Sequence, residues 1–169
     1  ASAKYPQFLI TFQKLIIKID IFFNGRNKLN NIMERLTTKR FNSNFKPNRT
    51  EFDWVSDDED SVDNYIEDDL CGFKVTNGLW LDMVEGIEST FKDENYISNN
   101  KNLRILLVAG SKDPVGDNGK GVERLYTFLK DHFKNLSLFT FGNGRHEIFS
   151  DLNKDRRYKL LTDFFDEEI

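Results

Sequence analysis

The sequence predicts an α/β protein with an incomplete parallel sheet, and three observations carry that expectation. The stretch "NLRILLVAG" (residues 102–110) is a short apolar run bounded by Asn and Gly, the pattern of a strand buried on both faces. "NLSLFTFGNG" (residues 135–144) supplies a second strand, and the residues between the two repeat apolar positions at helical spacing, which implies a right-handed strand–helix–strand crossover. The residues before Lys101 are helix and loop in character throughout. Residues 1–100 are therefore expected to form a helical segment and residues 101–169 a strand–helix–strand–helix unit. Two strands are too few for a stable sheet of this type, so its other strands are expected outside these residues.

Residues 8–23, "FLITFQKLIIKIDIFF", put Phe8, Phe12, Leu15, Ile16, Ile19, Phe22 and Phe23 at helical spacing, with Thr11, Lys14 and Lys18 as a polar strip. A membrane span needs about 20 uninterrupted apolar residues, whereas this run is shorter and carries Lys14, Lys18 and Asp20. It reads as a helix packed on a partner surface of the same protein, or as a lid over a lipid-binding cleft. Residues 24–48 give a turn at "FNGRN", a short helix around residues 29–36 and a further loop.

The acidic run "SDDEDSVDNYIEDDLCG" opens with Ser56 followed by Glu59, which predicts a capping box. Its acids then crowd the positive end of a helix with Val62, Tyr65, Ile66 and Leu70 on one face, ended by Gly72. A calcium loop would need a glycine and a terminal glutamate at positions this run lacks. A further helix is expected after Thr76 or Asn77, with Trp80, Met83, Val84, Ile87 and Phe91 on its core face. Past Gly119 a helix follows through Val122, Leu125, Tyr126, Leu129 and Phe133, and residues 156–169 supply a last one through Tyr158, Leu161, Phe164 and Phe165.

Composition narrows the function classes. The 169 residues are 38% hydrophobic, enough for one ordinary domain core. A formal net charge of −4 argues against nucleic acid as a partner, since phosphate contacts need clustered Lys and Arg. Cys71 is the single cysteine, so no internal disulfide is possible and a reduced, cytoplasmic setting is the expectation. No basic segment precedes the first apolar run, which does not read as a signal peptide. A start at Ala1 fits a processed, cloned or truncated chain. Two histidines and one cysteine give no ligand cluster, so neither a metal nor an organic cofactor is expected.

Chemistry concentrates at the two strand ends. Asp113 stands in "GSKDPVG" just past the first strand and His146 in "GNGRHEIF" just past the second. In parallel sheets functional groups gather beyond the carboxyl ends of the strands, so these side chains are candidate neighbours. A carboxylate beside a histidine fixes its tautomer and stabilises the imidazolium when the ring accepts a proton. Each residue alone reads equally as a turn or cap residue. His132 beside Asp131 is expected on a helix surface, and Cys71 at a helix end is expected to be structural.

These turns resemble those of α/β-hydrolases of the monoacylglycerol lipase and lysophospholipase type. In that family a "GSxDPVG"-like turn carries the triad acid and a "GxRHE"-like turn the triad histidine, so the resemblance implies Asp113 as acid and His146 as base. "FNSNFKPNRTEFDWVS" and "DDLCGFKVTNGLW" look like the family's helical cap, which would form an acyl-chain entrance. The implied fold is the C-terminal portion of an α/β-hydrolase with its cap, and the implied substrate a lipid-like ester. The family's nucleophile stands in a G-x-S-x-G elbow, and no such pentapeptide occurs here. Ser111, two positions before the acid, is badly placed for that role. The nucleophile, the oxyanion donors and most of the sheet are thus expected on sequence N-terminal to Ala1, and this chain alone is expected to be inactive. Related hydrolases cut peptides, haloalkanes or epoxides, and a split hydrolase serving as a non-catalytic interaction module is the alternative from another class. An open sheet edge exposes unpaired backbone groups, so a companion polypeptide or self-association is expected to cover it.

Overall fold

The computed structural model describes residues 3–166, with helices first and a two-stranded parallel sheet after them. Helix α1 (Gln7–Asn24) starts after Pro6 and stops at Gly25, whose left-handed φ of 85° lets its N–H reach the Ile21 carbonyl at 2.8 Å. Its packing face is not the one expected. Ile10 and Ile17 are buried against Leu81 and Val84 of α5 (Asn77–Thr90), with Met33 in the same cluster. Of the stripe read from the sequence, Phe8, Phe12, Leu15, Ile19, Phe22 and Phe23 are exposed and only Ile16 is partly buried against that cluster.

The reason lies in Lys14, which sits on the inner face between the two isoleucines and finds Glu88 of α5 at 2.6 Å. Gln7 donates to the other oxygen of that carboxylate at 2.6 Å. The Glu88 hydrogen bond holds the Lys14 ammonium above its ordinary pKa, and Lys14 with Gln7 holds the carboxyl of Glu88 below its own. A narrow apolar seam with a satisfied ion pair takes the inner side, and the broader apolar stripe turns outward.

The second helical passage is longer than expected. It runs from α2 (Asn31–Glu34) through a π-helical turn (Arg35–Lys39) into α3 (Arg40–Asn42) and a 3₁₀ turn, covering much of what the sequence suggested as loop. Buried Asn30 starts it, accepting from Met33 N at 2.7 Å and donating to Asn77 Oδ1 at 2.6 Å. Asn77 in turn donates to the Gly25 carbonyl at 3.0 Å. Two buried amides therefore join three helix ends, which no hydrophobic pattern could announce.

Helix α4 (Glu59–Glu67) corrects the capping-box expectation. Its cap residue is Asp58, and Ser56 is buried two residues before it, accepting from Asp58 N and donating to the Ser150 carbonyl at 2.9 Å. The helix ends at Glu67, so Leu70 lies beyond it and is exposed. Thr76 caps α5 as expected, with its hydroxyl accepting from Leu79 N.

Strands β1 (Arg104–Gly110) and β2 (Asn135–Phe141) pair in parallel, with Arg104 opposite Asn135 and Gly110 opposite Phe141. Helix α6 (Lys120–Leu129) connects them and packs Leu125 and Leu129, with Phe133 beyond it, against Ile105, Leu107 and Leu136. Only Ala109 and Gly110 of β1 are buried, so the strand is not covered on both faces as its apolar run implied. Helix α7 (Lys154–Asp166) begins slightly before the expected start, and the end of that expectation, residues 167–169, lies outside the described residues. Its buried residue is Arg157, whereas Tyr158 and Phe165 are exposed. Among the described residues no helix is long and apolar enough to cross a membrane.

The inward seam of α1 is testable. Ile17→Ala is expected to lower the unfolding free energy by about 2–5 kcal/mol, and Phe22→Ala on the outer stripe to change it by less than about 0.5 kcal/mol. Urea denaturation of the purified chain measures both; equal costs would place the packing face wrongly.

Candidate active site

The two strands stop at the same level, so the turns that follow them lie side by side. Gly110 closes β1 against the second turn, where an added Cβ would stand 2.2 Å from the Gly144 carbonyl oxygen and 2.4 Å from that of Arg145. Only a glycine allows this approach of two backbones. Ser111 N and Lys112 N then donate to the carbonyls of Phe141 and Gly144, each at 2.9 Å, and lace the turns together.

Asp113 is fully buried at 0% exposure in the first turn. Its Oδ1 accepts from Val115 N at 2.9 Å and lies 3.0 Å from His146 Nδ1 in the second turn. Oδ2 is buried without a hydrogen-bond partner, with Gly116 packed beside it. The His146 side chain is 23% exposed. With Nδ1 facing the carboxylate, the proton belongs on that nitrogen and Nε2 is left to accept one. The sequence-predicted pair is therefore in hydrogen-bond contact.

A segment without an obvious sequence signal holds the histidine from behind. The Trp54 carbonyl accepts from His146 N at 3.3 Å, and the Val55 carbonyl from Glu147 N at 2.8 Å. The Trp54 ring lies 5.1 Å from the imidazole, centroid to centroid. Arg145 donates to the carbonyls of Asp53 and Ser56 and stacks its guanidinium 4.6 Å from the Phe45 ring centroid. Burial opposes the charge of Asp53, but hydrogen bonds from Thr50, Arg49 and Asn48 outweigh it and hold its carboxyl below the usual range.

The acid turn is covered by the residues just before α1. Lys4 N donates to the Gly121 carbonyl at 3.0 Å, and Tyr5 donates its hydroxyl to the Val115 carbonyl. Burial, and then the carboxylates of Asp113 and Asp117, push the Tyr5 phenol above its ordinary pKa.

The remaining candidates do not join this pair. His132 lies past the end of α6, stacked on Tyr96 at 4.9 Å and 3.2 Å from Asp93 Oδ1, so it belongs to an aromatic cluster rather than to an open helix surface. Burial, with Asp68 and Glu147 nearby, pushes the Cys71 thiol up, which disfavours a thiolate. Ser111 accepts from Asn143 N at 3.0 Å and serves the turn. Among the described residues no group of three or more His, Cys, Asp or Glu side chains could hold a metal ion. A cavity of about 360 Å³ opens beside the pair, lined by Val108, Ala109, Gly110 and the run from His146 to Ser150.

Residues 13–153 match the family described as serine aminopeptidase, S33. A carboxyl esterase from Bacillus coagulans shares the fold with a TM-score of 0.77 at 20% identity, over 96% of this chain and 52% of that one. A monoacylglycerol lipase from Paleococcus ferrophilus gives 0.58 at 21% identity, over 97% and 54%. A soluble variant of monoglyceride lipase from Saccharomyces cerevisiae gives 0.62 at 14% identity, over 96% and 52%. The chain spans about half the length of these structures, whose α/β-hydrolase fold it shares in part through its two parallel strands. No curated protein matches the sequence significantly.

The contact between the turns predicts its own disruption. Gly110→Ala is expected to cost at least about 1–3 kcal/mol of unfolding free energy, because the atoms in its way are backbone. Gly142→Ala, with nothing within 4 Å of the new Cβ, is expected to cost far less. Thermal unfolding of the two variants compares them directly.

Proposed function

The chain belongs to the serine aminopeptidase S33 family of hydrolases, and from that premise we propose that it provides the acid, Asp113, and the base, His146, of a serine hydrolase of carboxylic esters. The observation that carries the reading is the 3.0 Å contact between His146 Nδ1 and a fully buried Asp113, at the carboxyl ends of adjacent parallel strands. In this mechanism His146 Nε2 takes the proton of a serine hydroxyl as its oxygen attacks the ester carbonyl carbon. The same proton then passes to the departing alcohol and leaves an acyl-serine; a water, deprotonated by the freed imidazole, attacks its acyl carbon, the bond to the serine oxygen breaks, and the imidazolium returns a proton to that oxygen as the acid leaves. Asp113 stays ionised and stabilises the imidazolium in both halves.

The serine comes from sequence outside residues 1–169, which contain no G-x-S-x-G elbow. Activity then belongs to the whole hydrolase, or to this chain with a companion polypeptide. Residues 1–100 form the helical cap and acyl entrance, and the substrate is a lipid-like ester such as a lysophospholipid or monoacylglycerol. Support comes from the structural neighbours, a carboxyl esterase and monoacylglycerol lipases, and from the exposed apolar stripe of α1. The single cysteine supports a reduced, cytoplasmic setting.

A non-catalytic interaction module is the second reading, favoured by the same uncovered stripe. Two experiments separate them. In the intact protein Asp113→Asn and His146→Ala are each expected to lower turnover by about three to four orders of magnitude, and full activity in either removes the triad reading. A fluorophosphonate probe followed by mass spectrometry is expected to label a serine outside residues 1–169. A preparation that contains the complete hydrolase and takes no label favours the interaction module.

A further inference from the structure

A second buried carboxylate lies near His146 without touching it. Asp151 is 0% exposed and accepts four hydrogen bonds. Oδ1 takes Asp57 N at 2.9 Å and shares the Ser56 hydroxyl proton, at 3.1 Å, with the Ser150 carbonyl, while Oδ2 takes Arg145 N at 3.1 Å and Arg157 Nη1. Arg157, 3% exposed on α7, also donates to the Ile148 carbonyl, and its guanidinium lies 5.4 Å from the ring centroid of Phe141, the last residue of β2.

We propose that Asp151 and Arg157 are positioning residues that hold His146 at hydrogen-bond distance from Asp113. The pair grips the chain on both sides of the histidine, at the Arg145 N–H before it and the Ile148 carbonyl after it. It also ties that turn to residues 56 and 57, the continuation of the segment on which the imidazole rests. A buried ion pair rarely adds stability over an apolar pair of equal volume, since desolvation cancels most of the attraction. Here the charges fix directions instead: four donors from three separate segments converge on one carboxylate, and a hydrocarbon pair would leave those segments free to slide. Asp57 borders the cluster, accepting from Leu152 N at 2.8 Å, and burial together with the Asp151 carboxylate pushes its pKa up.

The proposal rests on His146 being the base, and the experiment keeps the two apart. In the intact hydrolase, Asp151→Asn is expected to lower kcat about 10–100-fold and to leave KM within about twofold, in protein whose near-ultraviolet circular dichroism remains native. The far-downfield proton signal of the His146 Nδ1–H, identified by its loss in His146→Ala, is expected to weaken in the same variant. Ser56→Ala removes one donor and keeps both charges, so a smaller fall in kcat, several-fold, is expected with the same change in the signal. Folded Asp151→Asn with wild-type kcat and an unaltered signal overturns the clamp. If His146→Ala is inactive in that same series, the triad reading survives it. Where Asp151→Asn does not fold, Ser56→Ala decides alone, and wild-type kcat with an unaltered signal overturns the clamp there too. Full activity in His146→Ala overturns the reading beneath both.

Discussion

The site depends on a register. Because Gly110 stands opposite Phe141 in a parallel pair, both strands end at one height and the chain leaves each in the same direction. Displacing either strand by a residue would carry one turn past the other and reverse which side chains face the core. The contact of Gly110 with the Gly144 and Arg145 backbone enforces this level ending, since no side chain separates the two turns. Asp113 and His146 then need only three residues beyond Gly110 and five beyond Phe141 to meet. No helix supplies Asp113 or His146 itself, and α7 reaches the second turn through Arg157, which donates to the Ile148 carbonyl and to Asp151.

Polar and apolar surfaces are divided unevenly across the molecule. Around His146 nearly every buried polar group is paired: Asp53 by the nearby Thr50, Arg157 by Asp151 six residues away, and Ser56 and Asp151 across segments distant in sequence. The orphans among the described buried side chains are Trp54 Nε1 and Asp113 Oδ2, and both belong to residues that touch the imidazole. By contrast, the outer stripe of α1 and the Tyr158 and Phe165 side chains of α7 leave large apolar area uncovered. Large exposed apolar areas mark surfaces that meet a partner, and the chain spans about half the length of its structural neighbours.

How much of this the sequence announced follows from the range of the forces involved. Strands, crossover helix and the two turns that carry Asp113 and His146 were legible because apolar runs, Gly-marked turns and helical spacing are local signals. The direction in which α1 packs was not. Its largest apolar stripe gave the wrong face, since the choice was made by Lys14 meeting Glu88 and by the small cross-section of the Ile10–Ile17 seam. Ser56 was misread for a related reason: the sequence supplied a capping pattern within four residues, and the hydroxyl instead serves Ser150 and Asp151, far along the chain. The Asn30–Asn77 pair and the Trp54 segment were invisible on the same ground, as buried polar contacts between distant segments leave no periodicity. The one available hint was Arg145 beside His146, a charged residue where a turn needs none.

The geometry about the imidazole bears on what the ring is able to do. Three contacts fix it: Nδ1 to Asp113, the Trp54 ring at its side, and its own backbone N–H on the Trp54 carbonyl. A ring held this way has lost its freedom to flip and present Nδ1 to solvent. Its remaining nitrogen, Nε2, is the one free to exchange a proton, and the residue itself lines the cavity beside the end of β1. The carboxylate that orients the ring is buried and uses a single oxygen for both of its hydrogen bonds. Oδ1 meets the imidazole away from bulk water, so its attraction for a proton-bearing ring is less screened than it would be at the surface.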